Sequence, residues 1–470
     1  MLSIHTPELC KQEIDYVLSV VLTEWLGVPY HTEVGTHDSI EIEGNGRLLS
    51  LDTSFFQAAA SAWLADVSMP KLPLAELALD DVPVEITRRL QERVPQVPSS
   101  MPVLYGKPRI DVADENGHGI ACGVDIFGSI FFMLSRYEEV VTPDRDEHDR
   151  FPATSSVAYR AGFLDRPIVN EYAELLWAMI TYLWPGLQRK PREFRTLVSH
   201  DVDSPFAYAG LPRKAVLRRM AGDVVKRKSP TQALRTWKTW SAVQRGDVAN
   251  DPHNTFDFIM TESEKRGLVS AFYFIPDHSA GVIDGRYTLD DPEISELMRE
   301  IWSRGHEIGL HTSYNTYEDE QQTVREAETL RQAMTRIGID QDPIGGRQHY
   351  LRWATPQTFR NWEAAGMQYD STLSYADHAG FRCGTCWEYP VYDVVERRRL
   401  RLRERPLVAM EVTVANEKYM NLGYGEAAFE VFAALKETCR AYRGDFTLLW
   451  HNTQLLESPV RDLYMAVLDA

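Results

Sequence analysis

The apolar residues of this chain follow two rhythms. Up to about residue 190, helix-like and strand-like signals are mixed. Ser39–Leu51 alternates apolar and polar residues around Gly44-Asn45-Gly46, which predicts a β-hairpin. Asp125–Val140 has apolar residues at helical spacing and ends in charge, which predicts a helix with one buried face. Glu171–Leu183 predicts another helix. Pro185, Pro191 and the basic pair Arg189-Lys190 then mark a boundary.

Past that boundary, short apolar runs recur, each ending in polar or charged residues. The runs are Phe194–Ser199, Ser270–Ile275, His306–Leu310, Gln368–Leu373, Leu407–Val414 and Asp445–Trp450. Between them, Pro292–Arg304 and Glu320–Ile337 carry helical periodicity. Strand–helix alternation predicts a parallel sheet, and this many units predict a closed or nearly closed barrel. The expectation is an α/β chain: a smaller α/β domain over 1–190, then a distorted (β/α)7–8 barrel over 191–470 with an insertion at about 205–250. Chemistry in such barrels sits at the C-terminal strand ends, so the residues closing each run are the candidates.

The first run continues as Ser199-His200-Asp201-Val202-Asp203-Ser204-Pro205. Two carboxylates two apart on a strand end point to the same side, so one can bind a metal while the other acts as base. The competing reading is a solvated turn, since Asp and Pro both favour loops. After the third run, His311 closes a buried strand, where a neutral imidazole can ligate a metal or simply satisfy the core. Asn315 lies four residues on and shares a face with His311 if a helical turn begins there. An amide oxygen is a poorer but usable ligand. Gly345-Gly346-Arg347-Gln348-His349 offers Arg347, whose fixed fork can orient a carboxylate or form a surface salt bridge. The last run ends Leu449-Trp450-His451, and a His just after a buried strand can act as a general acid.

Together these segments resemble the polysaccharide deacetylases, the NodB-like carbohydrate esterases of family four, over roughly residues 191–455 and in that family's motif order. The family's first motif reads Thr-Phe-Asp-Asp, with a Thr-Phe-Asp-Val-Asp variant. By that resemblance Asp201 is the base and Asp203 a metal ligand. Gly305–Asn315 matches Gly-His-Glu-Ile-Gly-x-His-Ser/Thr-x-x-His, so His311 takes the first metal-histidine position and Asn315 stands in place of the second. Arg347 falls beside the base, and His451 is the acid. Tyr369–Leu373 sits at the fourth motif without its usual Asp-Trp ending; Asp370, with Tyr314 and His349, is assigned to substrate. The pattern is most similar to large two-part deacetylase-like proteins whose second motif ends in Asn and which often accompany bacterial surface-polysaccharide synthesis.

The resemblance implies a metal-dependent hydrolase that removes an N-acetyl group from a carbohydrate, a surface polysaccharide or its precursor. A divalent metal, zinc first, would be held by Asp203, His311 and Asn315. Asn315 would favour harder ions and lower the affinity; His349 or extra waters are other ways to complete the site. Two other readings stand beside this one: a catalytically silent glycan-binding or assembly module, and a hydrolase of a non-sugar amide. A glycosidase needs two carboxylates about 5–9 Å apart. Asp201 and Asp203 are too close in sequence for that, which leaves Glu411 as a distant partner.

Composition changes three points. The 470 residues carry 50 Lys and Arg against 68 Asp and Glu, a net charge of -18, which argues against nonspecific nucleic-acid binding. The longest apolar run, Ile126–Leu134, is far below the roughly 20 residues of a membrane span. The N-terminus lacks a basic stretch followed by an apolar core, and five cysteines do not read as a secreted disulfide scaffold, so a cytoplasmic protein is expected. The acidity is an average, however. Leu211–Trp240 holds nine Lys and Arg and a single acid, Asp223. Its mixture of Arg, Trp and apolar residues suits an anionic membrane surface or an anionic glycan; the plainer reading is a solvated basic helical insertion. Cys383-Gly384-Thr385-Cys386 has neither a second CxxC nor a thioredoxin-like context, and a structural role near the barrel mouth is expected.

Overall fold

The computed structural model describes residues 2–35, 37–112 and 118–470. The N-terminal part contains β1 (Leu2–Pro7), β2 (Tyr30–Gly35), β3 (Ile40–Gly44), β4 (Arg47–Leu51), β5 (Ala75–Ala78), β6 (Ser100–Val103), β7 (Gly106–Val112) and β8 (Gly119–Val124). Six of these form a mixed sheet in the order β2-β1-β3-β4-β8-β7, and β5 pairs with β6. The expected hairpin is β3–β4. Its alternate residues Ile40, Ile42, Leu49 and Leu51 are buried, and Asn45 and Gly46 take the positive φ angles (52° and 70°) that a tight hairpin turn requires.

The helix expected over 125–140 is interrupted. Ile126–Leu134 starts at Asp125, whose carboxylate accepts the Gly128 N–H at 2.7 Å. Arg136 then adopts φ 52° and turns its guanidinium inward before a short helix, Tyr137–Val141. Ile126–Leu134 is buried on every side rather than on one face, because the helices Lys11–Leu18, Ser54–Ser61 and Ile168–Leu183 all pack against it.

The C-terminal part contains β9 (Arg195–Val202), β10 (Ser270–Phe274), β11 (Glu307–Thr312), β12 (Gly345–Gln348), β13 (Tyr369–Asp370), β14 (Tyr389–Asp393), β15 (Arg398–Glu404), β16 (Ala409–Met410) and β17 (Asp445–Leu449). They form one sheet, β14-β15-β13-β12-β11-β10-β9-β17-β16. Every neighbouring pair from β15 to β16 is parallel, and β14 is an antiparallel edge. The chain order wraps round so that β17 lies beside β9, as in a barrel. Among the described residues, however, no pairing joins β14 to β16. The sheet is curled and open where a (β/α)7–8 barrel was expected.

Residues 371–388 lie at this opening. Gly380 donates its N–H to the Val408 carbonyl (3.0 Å), Phe381 to Leu164 (2.8 Å) and Asp445 to Cys386 (2.8 Å). Cys383 and Cys386 are buried in this segment. Cys386 adjoins the first residue of β17, so the pair lies at the end of the sheet opposite the strand C-termini and not at the mouth.

The helices Pro292–Ser303 and Glu320–Arg336 fall where periodicity placed them. β9 and β11 run further than their apolar runs, so Asp201 and His311 lie inside strands. Only the middle of Leu407–Val414 is strand; from Glu411 the chain turns helical. The insertion forms two packed helices, Arg213–Val225 and Pro230–Val243.

One continuous apolar core runs through both parts. Tyr16 and Trp63 donate across the junction to the carbonyls of Pro390 (2.7 Å) and Val394 (2.8 Å). Buried Glu13 accepts from Tyr392 and Arg397. Deeper in the junction, Arg382 of the C-terminal part donates to both carboxylate oxygens of Glu139 at 2.8 Å, and Arg136 donates to Glu139 at 2.9 Å and to Glu138 at 2.8 Å. Among the described residues no helix is long and apolar enough to cross a membrane.

Candidate active site

Parallel register brings the candidate side chains to one end of the sheet. His311 on β11 pairs with Arg347 on β12, and Asp201 on β9 pairs with Tyr273 on β10. Arg347 is fully buried. It reaches past the Tyr273 ring to donate to Asp201 Oδ1 at 2.7 Å, to Ser199 Oγ at 2.9 Å and to the Ser371 carbonyl at 2.8 Å. Burial alone would raise the Asp201 carboxyl, but Arg347, then His311 and His451, outweigh it and hold the group below its ordinary value. Asp201 is therefore a buried carboxylate, locked through one oxygen. Its other oxygen lies 3.6 Å from His311 Nε2.

Asp203, His311 and His349 offer one ligand atom each, all within 4.8 Å of one another. His311 Nε2 stands 3.2 Å and His349 Nε2 3.6 Å from Asp203 Oδ1. Each imidazole is fixed by its other nitrogen: His311 Nδ1 donates to the Arg347 carbonyl and His349 Nδ1 to the Asp284 carboxylate, both at 2.8 Å. That assigns the proton to Nδ1 and leaves each Nε2 lone pair for the cavity, as in histidine metal sites. Among the described residues, Asp203 Oδ1 and His311 Nε2 are buried with no hydrogen-bond partner. Burial opposes charge on His311, yet Asp201 and Asp203 raise it above its ordinary value, so the site draws positive charge. Two imidazoles, one carboxylate and orphaned buried atoms fit a divalent cation with positions left open. Gly285 keeps this geometry: at φ 90°, an added Cβ would stand 2.4 Å from the Asp203 carbonyl oxygen.

Across the cavity, His451 Nε2 lies 3.7 Å from Asp203 Oδ2. Its Nδ1 donates to Glu411 Oε1 at 2.6 Å, and its backbone N–H donates to the same oxygen at 3.0 Å. Burial opposes the imidazolium, but fully buried Glu411 prevails and the pKa is pushed up to about 10. The cavity is about 380 Å³. Asp201, Asp203, His311, His349 and His451 line it, with Tyr350 and Tyr419 nearer its rim. Two lining residues, His148 and Arg150, belong to the N-terminal part.

Three expected residues fall elsewhere. Asn315 is exposed; its amide donates to the Ser279 carbonyl at 3.0 Å and accepts from Arg352 at 3.3 Å. Its turn points it away from the cluster, and His349, assigned from sequence to substrate, stands there instead. Tyr314 does not line the cavity: its hydroxyl pairs with His148 at 2.9 Å, and Arg352 covers its ring. Asp370 is fully buried behind Arg347 and accepts from the Thr372 N–H and hydroxyl. Burial pushes its carboxyl up to about 6, and that of neighbouring Glu404 further up. Asp370 shapes the strand end and does not touch the cavity.

Sequence reasoning missed the roles of Glu411 and Asp284. A glutamate inside the apolar run Leu407–Val414 was the available signal for Glu411. Glu411 lies under His451 and is not a second carboxylate facing a glycosidic bond. For Asp284 the dipeptide Asp284-Gly285 is the one local signal the sequence offers, and it points to a turn rather than to a histidine partner. Nothing local marked His148 and Arg150, which precede the barrel motifs by some fifty residues or more.

Residues 2–185 match a family described as "Family of unknown function (DUF7033)". No curated protein matches the chain. Among solved structures, one described as "putative polysaccharide deacetylase from Mycobacterium smegmatis" is similar at 17% identity and a TM-score of 0.37, covering 60% of this chain and 84% of that one.

Proposed function

We propose that this chain is a metal-dependent hydrolase that removes an N-acyl group, an N-acetyl group first, from a carbohydrate. The observation that carries the reading is the placing of three devices around one 380 Å³ cavity: an arginine-locked carboxylate, an Asp-His-His cluster with orphaned ligand atoms, and a carboxylate-backed imidazolium. The motif order over residues 191–455 supports the carbohydrate amide as substrate class. Asp203, His311 and His349 would hold the metal, and two imidazoles with one carboxylate suit zinc. When bound, such an ion polarises an acyl carbonyl and acidifies water.

The rest is the work of side chains. Asp201, with one oxygen held by Arg347, takes the proton of the attacking water on its free oxygen. His451, charged through Glu411, gives its Nε2 proton to the departing nitrogen, because an amide anion is too basic to leave unprotonated. Water adds to the acyl carbon, the C–N bond breaks, and a carboxylic acid and an amine result.

The test is acetate release from a panel of N-acetylated sugars and their nucleotide- and lipid-linked precursors, with zinc-loaded protein and Asp201→Asn as control. Release that disappears in the variant supports the reading. Release unaffected by the substitution removes Asp201 as base, and a protein that takes up no metal at micromolar zinc favours the silent glycan-binding module.

A further inference from the structure

The structure assigns a second property to the insertion between β9 and β10: we propose that its helical hairpin docks on an anionic lipid surface. The hairpin is inverted relative to an ordinary surface helix. On Arg213–Val225, the inward positions are Val216 and Asp223, seven apart, while Leu217, Ala221, Val224 and Val225 form an outward stripe. Leu217, Val224 and Val225 are 48%, 46% and 74% exposed, and Leu234 on the second helix is 55% exposed. Lys214 and Arg218 lie along the same outward face of this helix, and exposed Lys228 follows in the turn after it.

Of the nine Lys and Arg between 211 and 240, Arg227 pairs with Asp223, and Arg213 and Arg219 lie over the rings of Trp237 and Tyr208. Among the described residues the other six have no acidic partner. Exposed aliphatics flanked by unpaired cations are what a helix lying in a headgroup layer presents; binding to a soluble polyanion would need the charges alone.

The base of the hairpin adjoins the site. Leu211 and Arg219 line a second cavity of about 330 Å³ that shares Asp203 with the first, and its other wall carries exposed Val282 and Ile283 beside Arg286. Docking would therefore bring the strand ends towards the bilayer. That consequence rests on the deacylase reading and makes a sugar carried on a lipid the favoured substrate; the docking itself does not rest on it.

The experiment is co-sedimentation of the full chain with phosphatidylglycerol–phosphatidylcholine vesicles and with phosphatidylcholine vesicles, at low and high salt. Binding to the anionic vesicles alone, weakened by salt, is expected. At about 1 kcal/mol per cation, K214Q/R218Q/K228Q weakens it on the order of 100-fold, and L217S/V224S/V225S weakens it at constant charge. Both variants alter exposed side chains, and unchanged zinc uptake and thermal midpoint establish that they fold. No binding to anionic vesicles overturns the proposal, as does binding that survives the charge variant. Binding to heparin that L217S/V224S/V225S leaves intact, without vesicle binding, also overturns it and assigns the surface to a soluble polyanion. Vesicle binding without acetate release from any sugar would leave docking standing and remove the deacylase reading.

Discussion

Two buried arginine–carboxylate clusters do different work in this molecule. At the junction, Arg136, Arg382, Glu138 and Glu139 close on one another: Glu139 accepts from two guanidiniums and from Thr355, Glu138 also accepts the Val157 N–H, and Arg382 donates to the Ser374 carbonyl. Against the cost of burial, the two arginines hold Glu139 at a pKa of about 2. None of these side chains is left with an unpartnered buried atom among the described residues. At the strand ends, Arg347 and Asp201 make a comparable bond, but the neighbouring Asp203 Oδ1, His311 Nε2 and Glu411 Oε2 are left unpartnered. Burial of charge is common to both. Unspent valence facing a cavity belongs only to the second, and on the proposed reading it separates a reactive centre from an ionic fastening.

Exchanging the outcomes of matched substitutions would break that comparison. Asp201→Asn should lower acyl release by roughly 10³-fold in steady-state rates and, because it leaves buried Arg347 without its anion, should also lower stability in denaturant titration. Glu139→Gln should cost stability alone: a loss of about 3–5 kcal/mol, read from urea unfolding, because it leaves two buried guanidiniums short of an anion, with the rate of the folded protein unchanged. A stable Glu139→Gln protein with no activity would mean that the junction cluster serves the chemistry. Asp284→Asn sharpens the contrast within the site. It weakens the fixation of His349 and should lower zinc affinity about 10–100-fold by competition with a chelator.

Glu326 lies between the two types, a buried carboxylate without a cationic partner among the described residues. It accepts from the Ser313 N–H and hydroxyl and from Gln322, and burial pushes its pKa up to about 7. The folded state therefore holds this proton over pH 4.5–7 while the unfolded chain releases it. This contribution to stability is present below pH 4.5, falls as pH rises to 7 and is level above that. Glu326→Gln should flatten a fall of about 2 kcal/mol between pH 5 and 7.5 in chemical denaturation. The smallest effect belongs to Asn315→Ala, which should leave zinc stoichiometry unchanged. Metal lost in that variant would return Asn315 to the ligand set.

Most of what was legible came from runs long enough to carry a period. Helices such as Glu320–Arg336 and strands such as β10 and β17 announced themselves through their apolar faces. β12 did not, because Gly-Gly-Arg-Gln has no apolar residue, although it presents Arg347. Asp201, Asp203, His311 and His451 were each visible at a strand end and line one cavity in the structure, while Arg347, read from its motif, is buried behind Asp201. The third member of the cluster was misplaced because spacing along the chain put Asn315 near His311. The backbone turns Asn315 towards Ser279, and the 3₁₀ turn His349–Leu351 after β12 supplies His349. Glu404 beneath Asp370 and the contribution of His148 and Arg150 depend on contacts between distant segments, which no local pattern encodes.

The opening between β14 and β16 has a consequence for anyone who would shorten this protein. Two sheet edges face that gap, and the segment lying at it is pinned from the N-terminal part: Leu164 accepts from Phe381, and the Asn170 amide oxygen accepts the Cys386 N–H at 3.0 Å. A fragment beginning near residue 191 would keep all the proposed catalytic side chains and lose those pins. It would bare strand edges that recruit other chains, so its characteristic failure would be self-association rather than simple inactivity.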